Sequence, residues 1–144
     1  MRCLVSIVSF LSVVLMVDAL LSIVFGLVSY LSPESTYATI VDLSELSEHS
    51  LMSAVLDSLS IFYVVVGAVC LLAAFMPHPY NVRVAVVMIA QHVWIGAKGL
   101  IELGRPWLVG NPWPDIIIHS LFVITYIIAI MWSVRRSSSF LSQP

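Results

Sequence analysis

Four apolar stretches divide this chain, and each carries or directly adjoins one carboxylate: Asp18, Asp57, Glu102 and Asp115. A membrane-spanning helix needs ~20 apolar residues, because a rise of ~1.5 Å per residue must cover ~30 Å of hydrocarbon. Inside lipid every backbone polar group must be satisfied within its own segment, so stretches of this length are helices. They run from Leu4 to about Leu31, about Ala54 to Phe75, Arg83 to about Gly104, and Ile116 to Val134. The first is longer than a span requires and should tilt or protrude. An ionisable group at membrane depth costs at least ~2.5–3.5 kcal/mol unless it is paired or wetted. Four carboxylates in one half of the bilayer therefore imply a shared polar interior. The expected fold is all-α: a single domain over residues 1–144, an integral membrane four-helix bundle.

Composition agrees. The chain is 60% hydrophobic and 10% charged, against roughly 25% charged residues in soluble domains. A net charge of −2 argues against nucleic acid as a partner and against a basic membrane-surface patch. Arg2 followed by an apolar run resembles a signal peptide. The apolar character continues through Leu20–Tyr30, however, past the ~7–15 residues of a cleaved segment, which favours a retained helix.

Orientation follows from the Lys and Arg residues in the loops. Arg2, Arg83, Arg135 and Arg136 fall on one side and Arg105 on the other, so both termini are expected in the cytoplasm. Glu34, Asp42, Glu45 and Glu48 crowd the first outer loop, which contains no Lys or Arg. Tyr30, Tyr37, Trp107 and Trp113 would form an outer aromatic belt, with Tyr80 and Trp132 on the inner one. Cys3 and Cys70 fall toward the reducing face and read as small apolar packing residues, with palmitoylation the alternative for Cys3.

The loops add detail. Ser32-Pro33-Glu34 is a helix start, with Ser capping and Pro in the first turn, so a short surface helix is expected between spans one and two. Whether that loop is a solvated connector or a lid stays open. Met76-Pro77-His78-Pro79-Tyr80-Asn81 is a tight turn that predicts adjacent, antiparallel spans two and three. Pro106, Pro112 and Pro114 keep the last outer loop from being helical throughout, and the tail Ser137–Pro144 is expected to fray.

Projection at 100° per residue gives one polar stripe per span. Asp18, Ser22, Phe25 and Ser29 share a face of span one; Ser50, Ser53, Asp57 and Ser60 share one of span two. Gln91, Lys98, Glu102 and Arg105 do so in span three, with His92 and Gly99 on the next row. Asp115, His119, Phe122 and Tyr126 line up in span four. The candidate ligand-binding chamber is thus Asp18, Asp57, Lys98, Glu102 and His119, with Lys98 as its hub. Several uses of that chamber stay open: an ion-pair network fixing helix register, a pocket for a lipid head group, quinone or small polar ligand, an acid–base site, or a proton path. The Asp115–His119 spacing is too common to count as a metal motif. No nucleophile elbow, P-loop, CxxC or HExxH occurs, so no catalytic residue and no cofactor is assigned.

Three stretches resemble the DoxX-like superfamily of small four-helix membrane proteins. Gly26 to Glu34 is similar to the end of that family's first helix. Tyr63 to Ala68 resembles an aromatic residue followed by a small-residue patch in its second. Glu102 to Asp115 resembles its Gly-Arg and Pro-rich connection into the fourth. Asp57 stands where many relatives have a basic residue, which puts the charge of that pocket in doubt. The resemblance implies a bacterial inner membrane and an accessory role, in some members linked to quinone redox systems. Two functions are carried forward. One is a non-enzymatic accessory or scaffold subunit with partner membrane subunits or a second copy of itself. The other is a binding protein or enzyme for a lipid-like or quinone-like molecule.

Overall fold

The computed structural model describes residues 9–32, 36, 49–103 and 111–141, apart from the side chains of 49–54, 56, 102 and 136–141. Four helices account for nearly all of them: α1 (Phe10–Leu31), α2 (His49–Ala74), α3 (Tyr80–Glu102) and α4 (Trp113–Leu141). No strand occurs among the described residues. Each helix contains a stretch long and apolar enough to cross a membrane. The protein is an all-α, multi-pass membrane bundle.

Local chemistry sets the helix ends. Ser9 caps α1, its hydroxyl accepting from the Ser12 N–H at 3.0 Å. At the far end the Ser32 N–H donates to Val28 O at 2.9 Å. The Pro77-His78-Pro79 turn separates α2 from α3, and Pro79 precedes the first residue of α3. In α4 the side chain of Asn111 accepts from the Trp113 N–H at 3.1 Å. Pro114 sits in the first turn, where its missing N–H has no helical partner to lose. Asp115 in that same turn faces the positive end of the helix dipole.

The boundaries differ from the sequence reading in several places. Helix α1 begins at Phe10, where Ser9 in extended conformation caps it, and not at Leu4 as expected. Helix α4 continues to Leu141 and takes in much of the tail expected to fray. Neither Pro nor Gly lies between Trp132 and Leu141 to stop it, and its polar last turns need no hydrocarbon around them. Helix α2 begins at His49, before the apolar run, for the same reason. Most of the expected surface helix between Leu31 and His49 lies outside the described residues, as do the Gly104–Gly110 connection, Cys3, Tyr37 and Trp107. Thr36 is described, and its N–H donates to Ser32 O at 3.2 Å, the i→i−4 pattern of a helix.

The helices associate as two hairpins. Helix α1 lies most closely against α2, and α3 against α4, while α2 and α3 meet more sparingly despite the short turn joining them. Glycine decides how close α1 and α2 can come. A Cβ on Gly26 would stand 2.7 Å from Ser60 O, and one on Gly67 would stand 2.7 Å from Ala19 O. Lipid offers helices no hydrophobic reason to associate, so close backbone approach and polar contacts must hold them. The apolar core is accordingly built largely of small residues, with Ala19, Ala73, Ala85 and Ala129 buried beside Leu11 and Leu15. Large apolar side chains such as Leu20, Phe75, Val87 and Trp94 face outward, toward the bilayer.

Candidate functional site

The buried carboxylate of the first hairpin is Asp18, on the inward stripe of α1 and only 2% exposed. A carboxylate there must collect donors from within the protein. It does so from three helices. The Tyr126 hydroxyl, on α4, donates to Asp18 Oδ2 at 2.7 Å. His92 Nε2, on α3, lies 3.1 Å from the same oxygen. Ser22, one turn along α1, donates to Asp18 Oδ1 at 3.4 Å. The buried Cys70 thiol of α2 borders Tyr126 and Asp18.

The contacts continue beyond His92. Its Nδ1 stands 2.7 Å from His119 Nδ1, one ring donating to the other. His119 Nε2 in turn lies 3.3 Å from Asp115 Oδ1, an i,i+4 pair on α4. His92 therefore hydrogen-bonds through both ring nitrogens, whereas His119 does so through Nδ1 and holds Nε2 at ion-pair distance from Asp115. Phe122 stacks flat on His92, with centroids 4.8 Å apart and planes 7° from parallel, and so covers one face of the ring. The line Asp115–His119–His92–Asp18–Tyr126 begins at a carboxylate whose side chain is 60% exposed and ends at a phenol that is fully buried. Asp115 and Tyr126 are separated by ~16 Å along α4 at ~1.5 Å per residue, about half of a ~30 Å hydrocarbon core.

Of the residues assigned to the chamber by sequence, Asp18 and His119 come together, with His92 as the link between them. Asp57 is half-buried on α2 and Lys98 is exposed on α3. Lys98 engages a neighbour of its own, while Asp18 takes its donors from Tyr126, His92 and Ser22. The side chain of Glu102 lies outside the described residues. Among the described residues, no group of three or more His, Cys, Asp or Glu is arranged to hold a metal ion.

Sequence reasoning left His92 and Tyr126 off the site. A signal for His92 was present: Gly96 and Gly99 follow it at i+4 and i+7, on one face of α3. That face meets α4. A Cβ on Gly99 would stand 2.9 Å from Ile116 Cγ1, and one on Gly96 would stand 3.7 Å from His119 Cβ. Gly99 admits α4 closely, and in the same helix pair the two histidine rings touch. Compared with known proteins, the chain matches no family model, no curated protein and no solved structure.

Proposed function

We propose that this chain is a non-enzymatic accessory or scaffold subunit of a membrane complex. One observation carries the reading: the Asp18 carboxylate is partnered by side chains of α1, α3 and α4. Its polar atoms hold three helices in register and so define one arrangement of the lipid-facing surfaces, where a partner would bind. The resemblance to the DoxX-like superfamily points the same way. We further propose the orientation implied by the arginines, with both termini cytoplasmic, in a bacterial inner membrane. Reporter fusions at Pro144 and within 35–48 should then give opposite signals, and matching signals would reject that orientation.

A second reading is favoured by the end of the bundle where α2 and α4 begin. There the half-buried Asp57 and the exposed Asp115, which faces His119, place two carboxylates at one end of the bundle, within reach of a lipid-like or quinone-like molecule. Extraction in native lipid followed by mass spectrometry separates the two. A membrane protein recovered in stoichiometric amount supports the subunit reading. The chain recovered alone with one lipid or quinone per copy overturns it.

A further inference from the structure

Gln91 sits at the middle of the span Tyr80–Ile101, ~15 Å from either end at ~1.5 Å per residue. It is half-buried, and on the same side of α3 Val87 and Trp94 stand 64% and 74% exposed toward the bilayer. Among the described residues none hydrogen-bonds its side-chain amide. Polar side chains on α4 meet their needs within their own helix. Ser120 and Thr125 donate to the carbonyls one turn back, Ile116 O at 2.8 Å and Leu121 O at 2.7 Å. A short hydroxyl reaches its own helix in that way. The longer amide carries two N–H donors and a carbonyl acceptor, and leaving them unpaired in hydrocarbon is costly.

Lipid does not supply the missing partner. Acyl chains have neither donor nor acceptor, and head-group oxygens lie half the hydrocarbon thickness away, ~15 Å. Another helix does supply it, as Gln side chains hydrogen-bond across helices in membranes. The residue that fits best is Gln91 of a second copy. Copies inserted in one orientation hold Gln91 at one depth, so a two-fold axis along the membrane normal sets the two side chains face to face. A primary amide is self-complementary: each N–H donates to the other carbonyl, and one residue type makes two hydrogen bonds.

We propose that this chain forms a symmetric dimer through the outward side of α3, with paired Gln91 amides at its centre. Val87, one turn before Gln91, packs against its symmetry mate, and Trp94 covers the amide pair from the lipid side. The length of the Gln side chain lets the amides meet between helix axes ~8–10 Å apart, so no glycine row is required on this side. The exposed Lys98 lies on the same side, ~10 Å farther along α3 and close to the end of the span. Helices that cross at Gln91 diverge toward that end, which keeps the two ammonium groups apart. The glycine-lined contacts of α1 with α2 and the Asp18 cluster stay inside each copy, so the dimer leaves the bundle as it is.

The dimer stands apart from the subunit reading: the chain alone in lipid tests it, whereas recovery from native lipid tests that reading. The full chain with Cys3→Ser and His78→Cys, the latter in the exposed turn before α3, is labelled with donor or acceptor dye and reconstituted in phosphatidylcholine liposomes. Energy transfer is followed as the protein-to-lipid ratio is lowered. The expected result is transfer that reports two copies per assembly. In Gln91→Leu its midpoint should move to a ratio about five- to tenfold higher, from the loss of two interhelical hydrogen bonds. Gln91→Asn keeps a self-complementary amide and should fall between the two. A second readout leaves Gln91 in place. In the Cys3→Ser chain, Val87→Cys should give a disulfide-linked dimer on oxidation. Ile124→Cys, similarly exposed at the middle of the α4 span, should not. Transfer no greater than random collision gives, a midpoint unchanged in Gln91→Leu, or cross-linking as strong at Ile124→Cys as at Val87→Cys would each overturn the proposal. Should Gln91→Leu fail to fold, the cross-linking pair decides.

Discussion

Replacing Tyr126 by Phe removes one oxygen and little else. The ring stays, and with it the stacking against His92, whose centroid is 6.0 Å away. What is lost is a 2.7 Å donation to the Asp18 carboxylate from a residue that solvent does not reach. Hydrogen bonds to charged groups contribute ~1.5–3 kcal/mol in soluble proteins. Interhelical polar contacts in membranes average only ~0.6 kcal/mol and reach ~1.7, because separated helices find other partners in lipid. The short distance and full burial place this contact near the upper end of the membrane range. Ser22, at 3.4 Å, is too long a contact to make up the loss. Tyr126→Phe should therefore destabilise the bundle by ~1.5 kcal/mol, about a tenfold fall in the folded-to-unfolded ratio. The assay is reversible unfolding in mixed detergent–lipid micelles for the wild type, Tyr126→Phe, Asp18→Asn and the double variant. Since the two side chains touch, the double-mutant cycle should return a coupling of ~1 kcal/mol. A coupling under ~0.3 kcal/mol, the level at which independent sites add, would refute the claim that Tyr126 is held for Asp18.

Gly67→Ala would put a methyl group 2.7 Å from Ala19 O and 2.6 Å from Ile23 Cγ1, so α1 and α2 must separate, at a cost of ~1–3 kcal/mol in the same assay. Gly96→Ala meets nothing closer than 3.7 Å and should change stability by less than ~0.5 kcal/mol, which makes it the control. The Cys70 thiol is fully buried. In a Cys3→Ser background, maleimide should label the chain only after denaturation, and labelling of the folded protein in lipid would show that α2 is misplaced or opens readily.

Much of this architecture could be read from the sequence, because the membrane imposes a length and a secondary structure together. Apolar runs locate the spans but report only the hydrocarbon-crossing part of a helix. That is why α4 reaches Leu141 and α2 begins at His49, beyond the apolar limits. The stripe Asp115–His119–Phe122–Tyr126 was legible because four polar or aromatic residues fall within one face of α4. The facing row of α3 was harder. Gln91, Lys98 and Glu102 form a charged row, and His92, Gly96 and Gly99 a quieter one beside it. Charge drew the expectation to Lys98, but close approach of α4 requires a small residue, and Gly99 on the His92 row supplies it. Helical projection orders the residues around a helix and carries no information about which neighbour arrives. The His92–His119 contact depends on two helices meeting and has no signature within either one.

The partners of Asp18 stand far downstream, His92 by 74 positions and Tyr126 by 108. At synthesis rates of ~5–20 residues per second, roughly 5–20 s separate the emergence of Asp18 from that of Tyr126. During that interval the first hairpin, already able to close on its glycines, holds a carboxylate whose described partner within it is Ser22. A nascent chain must therefore keep Asp18 paired or wetted by other means until the last helix arrives. A copy cut short before α4 would lack the Tyr126 hydroxyl and the His119 ring, and its unfilled acceptor would distinguish it, for membrane quality control, from a finished one.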